Sequence, residues 1–447
     1  MLTKSVLSRR RFLSFLGVSG GLLATSVVAA CAGAAPSPTA AATPVPPAPT
    51  PGSPQAVPTV TAAPVTSAQG EIVFGSALGV TGPNAVEGNL TKNGYDLWVK
   101  TVNLAGGLKA GGKTYKVSIK YYDDAGKAEQ SAQMTERLIT QDGIKLLFGP
   151  FGSPATFQAS SVSEKYKAPT VEGNAAAEST FNRGYTYIFG TNSPARQYGS
   201  VMLDMAIHLT PKPVSVAILS ANDNFSLEVG TGAEEFAKQH GMTVTMHEKY
   251  PANATDLSAI VTKAKQSNGE LMLNSGHLPE SLAIMKSAKE LDYNPSLFCF
   301  TVGPTTPDFL KSLNASADGV VASTQWTETE RWQGTDIFGT PRKFYELYQK
   351  EYASVPDYHA ANGASVGIAM QAAIEKAGSV EPDAVRDALA KLDFMSFYGS
   401  LKFDSRGVNV THPMAVQQIQ KGKLVTIWPA EVAEAKPAYP TPAWSKR

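Results

Sequence analysis

Cysteine is almost missing from this sequence: Cys31 and Cys299 are the only two in 447 residues. Cys31 falls within the export pattern at the N-terminus. That leaves Cys299 alone in the apolar run Leu297-Phe298-Cys299-Phe300, where a buried, inert thiol is expected. Histidine is sparse as well, and positions 208, 240, 247, 277, 359 and 412 show no metal-ligand spacing. No Gly-x-Ser-x-Gly elbow and no phosphate-loop lysine motif occurs, and Gly230-Thr231-Gly232 lacks the third glycine of a dinucleotide fingerprint. Asp123-Asp124 follows a strand and reads as a solvated turn or helix cap. No catalytic residue, metal or cofactor is therefore expected, and an exported hydrolase is disfavoured for want of a nucleophile and base. A basic excess is lacking too. The formal charge is +1, and setting aside Lys4, Arg9, Arg10 and Arg11 turns it mildly negative, which argues against nucleic acid. After residue 70 no run is long and apolar enough to span a bilayer.

The N-terminus holds an export pattern. A positive stretch to Arg11 precedes an apolar one from Phe12 to Val28, interrupted by Ser14, Gly17, Ser19, Gly20 and Gly21. It reads as a secretory signal over residues 1–30. Ser8-Arg9-Arg10-Arg11-Phe12-Leu13 resembles a twin-arginine signal, although Ser14 stands where a lysine is usual. Val28-Ala29-Ala30-Cys31 resembles a lipobox, making Cys31 the expected lipidation site. Residues 31–70 are rich in Ala, Pro and Thr, and are uncharged with no aromatic residue up to Gln69. Such a stretch buries too little apolar surface to order itself. As an extended spacer it reaches on the order of 100 Å, at about 3.1 Å per residue.

The chain beyond Gly70 exceeds a single compact core and implies two lobes. Short apolar runs alternate with helical patterns: Glu71–Gly75, then Gly88–Leu104; Val117–Tyr121, then Ser131–Gln141; Val214–Leu219, then Glu228–His240; Leu271–Leu273, then Leu282–Glu290. The expected class is α/β with doubly wound parallel sheets, whose ligands bind beyond the carboxyl ends of strands.

Five segments in order carry a family likeness: Thr81-Gly82-Pro83, Asn103-Leu104-Ala105-Gly106-Gly107, Tyr121-Tyr122-Asp123-Asp124, Phe148-Gly149-Pro150-Phe151-Gly152-Ser153 and the run Tyr398–Gly407. Over about Glu71 to Pro429 the chain resembles solute-binding proteins of ABC importers, of the branched-chain amino acid and amide group with the type I periplasmic binding fold. The resemblance implies lobe I from 71–192 plus 325–397 and lobe II from 193–324 plus 398–430, with a C-terminal tail at 431–447. Three crossovers near Asn192, Thr324 and Phe397 would form the hinge. It further implies a small-molecule ligand, permease and ATPase partners, and a lipid-anchored location outside the cytoplasmic membrane. A monomer is expected. The alternative is a sensing module of the same fold that signals to a membrane partner.

Ser153 is the leading site candidate, a serine after a glycine turn at a probable helix start, with Phe151 and Gly152 before it. A plain N-cap serine is the competing reading. The resemblance adds Gly173, Asn174 and Ala175 as a second loop of lobe I, and Phe225 and His277 from lobe II. It also adds Tyr358 and, with Trp326, an aromatic wall. Where amino-acid binders of the family place an acid, this chain has Val302-Gly303-Pro304-Thr305-Thr306. Thr305 thus enters the candidate set without a charge, and Glu87 or Asp223 would have to receive any ligand ammonium.

Overall fold

The computed structural model describes Ala56–Val57 and residues 68–447. The expected leader, Cys31 and most of the expected tether lie outside the described residues. In chain order the first lobe contributes strands β1 (Ala56–Val57), β2 (Glu71–Ala77), β3 (Leu108–Ala110), β4 (Lys113–Tyr122), β5 (Leu147–Phe148), β6 (Thr170–Glu172) and β7 (Ile188–Gly190). Its helices are α1 (Ala85–Leu104), α2 (Ala128–Thr140), α3 (Ser153–Lys165) and α4 (Glu178–Phe181). The second lobe follows with α5 (Arg196–Ala206), β8 (Ser215–Ala221), α6 (Asn224–Gln239), β9 (Thr243–Tyr250), α7 (Ser258–Gln266) and β10 (Leu271–Ser275). It continues through α8 (Leu278–Glu290), β11 (Leu297–Phe300), α9 (Pro307–Leu313) and β12 (Val321–Thr324). The chain then returns to the first lobe with α10 (Pro341–Tyr352), α11 (Tyr358–Ala377), α12 (Pro382–Leu389) and the hairpin β13 (Asp393–Ser396) and β14 (Gly399–Lys402). Last come β15 (Ala415–Gln420) and β16 (Lys423–Trp428), in the second lobe.

One sheet runs β1-β4-β2-β5-β6-β7, with β3 beside β4, and the other runs β16-β15-β12-β11-β10-β8-β9. The strand pairs from β4 to β7 and from β12 to β9 are parallel, and helices alternate with them along the chain, so both sheets are doubly wound α/β as the sequence implied. Ala56–Val57 departs from a free tether: it pairs antiparallel with Tyr121–Tyr122 and occupies the backbone edge of β4.

The first lobe's core joins Phe74, Trp98 and Phe148, with Phe74 centroids 5.6 Å from Trp98 and 4.9 Å from Phe148. Such pairs add about 0.5–1.5 kcal/mol beyond their buried area. Helix α1 lies against α11 at backbone contact, because a Cβ on Gly94 would sit 2.0 Å from the Ala360 carbonyl oxygen. Cys299 is buried as expected, and burial pushes its thiol up to about 12. Asp123 and Asp124 do form a turn, accepting the N–H groups of Ala125 and Gly126. Asp124 is buried rather than solvated, and desolvation pushes its carboxyl up to about 6.

The third passage between lobes is later than the expected one near Phe397. β14 pairs back onto β13, and Val408 still bridges Gly190 of the first lobe. The chain joins the second sheet only at β15, so Asn409 to Met414 make the crossing. There His412 donates its Nε2–H to the Gln325 carbonyl oxygen (2.7 Å) and stacks on Tyr398. The tail returns to the second lobe, with Trp444 Nε1 donating to the Tyr293 carbonyl oxygen.

Candidate functional site

The residues that meet between the lobes come mostly from loops after parallel strands, joined by Tyr198 of α5 and the first residues of α11. β5 ends in Phe148, and the chain turns at Gly152, whose φ of 87° favours glycine, before Ser153 opens α3. Ser153 is buried, and its Oγ accepts the Ala177 N–H at 3.1 Å. The loop after β6 brings Asn174 and Ala176. From the second lobe come Phe225 in the first turn of α6, His277 just before α8, and Val302 after β11. These side chains, with Phe151, Gly152, Tyr198, Tyr358 and His359, enclose one cavity of about 20 Å³.

Aromatic rings form most of its wall. Phe225 stands edge-on to Tyr198 at 5.1 Å and lies 5.7 Å from His277, which in turn lies 6.1 Å from Phe151. Tyr358 stacks on His359 at 4.0 Å, and Asp357 fixes that histidine through a 2.6 Å contact to Nδ1. Beneath the second loop Glu172 is fully buried. Its Oε2 accepts the Ala175 N–H (2.6 Å), its Oε1 has no partner, and desolvation holds its carboxyl well above the usual range.

Of the sequence candidates, Phe151, Gly152, Ser153, Asn174, Phe225, His277 and Tyr358 line this cavity, whereas Gly173, Ala175, Glu87, Thr305 and Trp326 do not. Gly173 is turned to α11, where its carbonyl oxygen accepts the Asn362 amide at 2.6 Å. Ala175 is fully buried beside Ala176, which faces the cavity instead. Trp326 belongs to the first lobe's core and meets Phe344 edge-on at 5.4 Å. Thr305 is buried with no hydrogen-bond partner for its hydroxyl. Asn174 is at the cavity, but its amide is engaged inward, donating to Thr91 Oγ1 (2.9 Å) and accepting from Asn362 Nδ2 (3.0 Å). Sequence reading gave no sign of Tyr198 or Ala176, reached Val302 only as part of the loop without an acid, and set His359 beside Tyr358 on a loop facing the cleft without choosing it. Asp357-Tyr358-His359 was the nearest signal, since Asp357 caps α11 and holds the His359 ring.

The two lobes touch directly. Glu87 on α1 accepts the Leu278 N–H of the second lobe at 3.1 Å, and Glu228 on α6 accepts the N–H groups of Glu178 and Ser179 of the first. A second hollow of about 240 Å³ adjoins the cavity, sharing Phe151, Gly152 and His277 with it. A larger hollow of about 600 Å³ lies on the flank of the first lobe near Val102, Gln371 and Asp393, and shares no residue with either. Among the described residues no group of His, Cys, Asp and Glu is arranged to hold a metal ion, and no helix is long and apolar enough to cross a membrane.

A cleft at strand carboxyl ends, with lobes built from discontinuous stretches of chain, matches a known family model, that of periplasmic binding protein, over residues 71–423. The chain belongs to the periplasmic binding protein family. Among curated relatives, "Leu/Ile/Val-binding protein homolog 8" of Brucella abortus is 28% identical over 391 residues, covering 83% of this chain and 94% of the relative. Among solved structures, the branched-chain amino acid transporter substrate binding protein LivJ of Streptococcus pneumoniae, in complex with isoleucine, superposes with a TM-score of 0.71 at 20% identity. It covers 83% of this chain and 100% of LivJ. A solute binding protein of an ABC transporter from Rhodopseudomonas palustris, in complex with 3,4-dihydroxy benzoic acid, gives 0.69 at 19% identity, covering 84% and 99%. The periplasmic binding fold is therefore shared, while these solved relatives hold chemically different ligands.

Proposed function

We propose that this periplasmic binding protein is the extracytoplasmic solute-binding subunit of an ABC importer, capturing a small polar molecule between lobes that close over it. The observation that carries the reading is the cavity shared by Ser153 from one lobe and Phe225 and His277 from the other, with interlobe hydrogen bonds on either lobe's helices. Ser153 stands at the N-terminus of α3, where first-turn N–H groups have no intrahelical partner and favour a carboxylate or other acceptor. Phe151, Phe225 and Tyr358 supply flat apolar walls.

An α-amino acid is the less favoured ligand. The loop 302–306 carries no acid, and Glu87 does not line the cavity: its Oε1 accepts the Leu278 N–H, and its buried Oε2 has no partner. A buried ammonium without a carboxylate is costly. An acid with an apolar or aromatic body, or an amide, suits the walls better. Lipidation at Cys31, the Pro-rich tether and the permease and ATPase partners belong to the same proposal and rest on the sequence pattern. A thermal-shift screen of amino acids, amides and aromatic acids tests it, since a bound ligand raises Tm by mass action. A hit whose binding weakens in Ser153→Ala supports the reading. Hits unaffected by that change count against it.

A further inference from the structure

The cavity at Ser153 measures about 20 Å³, room for about one water molecule. No amino acid or aromatic acid fits in that volume alone. The adjoining hollow of about 240 Å³ lies between the same lobes and meets the first cavity at Phe151, Gly152 and His277. Its walls come from Gly79, Asn84 and Gly126 on one side and from Asp223, Asn253 and Glu280 on the other.

Its chemistry differs from that of the Ser153 end. Two carboxylates line it, and neither a lysine nor an arginine does among the described residues. Asp223 caps α6 by accepting the Ser226 N–H (2.9 Å), and Glu280 accepts the N–H groups of Asn253 (2.6 Å) and His277 (3.1 Å). The second Asp223 oxygen accepts the Ser226 hydroxyl (2.8 Å). Two buried polar atoms of its lining have no partner: Asn84 Oδ1 and His277 Nδ1, the latter on a side chain only 8% exposed. Asn84 Oδ1 is an acceptor, and His277 Nδ1 accepts when the ring proton sits on Nε2. Unsatisfied buried acceptors in a hollow lined by two acidic side chains and no basic one call for an N–H donor, and a positively charged one makes the stronger bond.

We propose that this hollow is the second half of the solute site and takes a cationic, N–H-bearing end of the ligand, an ammonium or guanidinium held away from the acid group. The inference rests on the reading that Ser153 and the start of α3 hold the ligand's acceptor end. The ligand class is thus a small zwitterion whose two charges are separated by an apolar spacer lying along the junction that Phe151, Gly152 and His277 form. This separation also accounts for a cleft that lacks an acid in the loop 302–306.

Calorimetric titration of the full-length protein tests the assignment. The probes are γ-aminobutyrate and ε-aminocaproate, each beside the acid in which a methyl replaces the ammonium, pentanoate and heptanoate. At least one amino acid is expected to bind about tenfold or more tighter than its methyl counterpart. Asn84→Leu, which keeps the bulk and removes the acceptor, is expected to erase that preference, while Ser153→Ala weakens both members of the pair. Equal affinity within each pair, or no binding of either amino acid, overturns the assignment. Should the preference persist in Asn84→Leu, the cationic end lies elsewhere and the assignment also falls. Binding that ignores Ser153→Ala overturns instead the placement of the acceptor end, and this proposal with it.

Discussion

Glu228, on the second lobe, accepts the backbone N–H of Glu178, on the first, at 2.6 Å. Glu87 does the converse, reaching from the first lobe to the Leu278 N–H in the opening turn of α8. Each lobe thus offers a carboxylate to a helix start on the other, where a negative charge is favoured. Hydrogen bonds to charged groups contribute about 1.5–3 kcal/mol, less where solvent reaches them. If these contacts hold the lobes shut, Glu228→Ala loosens the closed form without touching the ligand cavity. Affinity for any ligand found is expected to fall about tenfold, with a small change in the Tm of the ligand-free protein. An unchanged affinity would mean that the contacts follow closure without favouring it.

Ser153→Ala is expected to act twice. It removes the hydroxyl facing the cavity and leaves the Ala177 N–H without its acceptor. An unsatisfied buried N–H costs about 1–3 kcal/mol. Calorimetry should show weaker binding, and thermal unfolding a Tm a few degrees lower. A Tm loss with full affinity would reduce Ser153 to a local structural role.

Trp326 is expected to matter for stability rather than for ligand. It packs in the first lobe's core against Phe344. Trp326→Ala should cost about 3–5 kcal/mol of unfolding free energy, whereas Trp326→Phe should bind ligand normally. Chemical denaturation beside titration separates the two effects, and a binding defect in the phenylalanine variant would contradict this placement.

Burial at the third crossing lowers His412 from its ordinary 6.5 to about 4. The folded protein holds it neutral while the unfolded chain takes up a proton near 6.5. Its contribution is therefore present above about pH 6.5 and is lost as the pH falls toward 4. Asp124, raised to about 6, works in the opposite sense and loses stability as the pH rises from about 4 to 6. The wild-type profile mixes the two, so the readout is a difference. Relative to wild type, His412→Gln should gain stability between pH 6.5 and 4, measured by denaturant titration. A pH-independent difference would contradict a neutral, buried His412.

What was legible in the sequence followed local punctuation. The run Phe148 to Pro154 combines a strand end, glycines, a serine and a proline, and these fix a turn into a helix whatever surrounds them. Alternation of apolar runs with helical patterns likewise revealed the parallel sheets. Helix α11 gave no period, because it is buried on almost every side and its small residues face α1 as well as the core. With α11 unseen, the positions of Tyr358 and His359 were only half visible. Tyr198 sits within α5, and its neighbours along the chain do not mark it as facing Phe225. Trp326 was expected in an aromatic wall of the site, but which way an indole points depends on Phe344, a partner from a later helix. The shift of the third crossing rests on the Gly190 to Val408 bridge, a pairing across nearly half of the chain that no local pattern announces.

The central claim is capture of a solute by closing lobes. Small-angle X-ray scattering of the full-length protein, with and without a saturating hit from the thermal-shift screen, tests it most directly. The account predicts a smaller radius of gyration with ligand and, in Glu228→Ala, a weaker compaction at the same ligand concentration. An unchanged radius at full occupancy would contradict it.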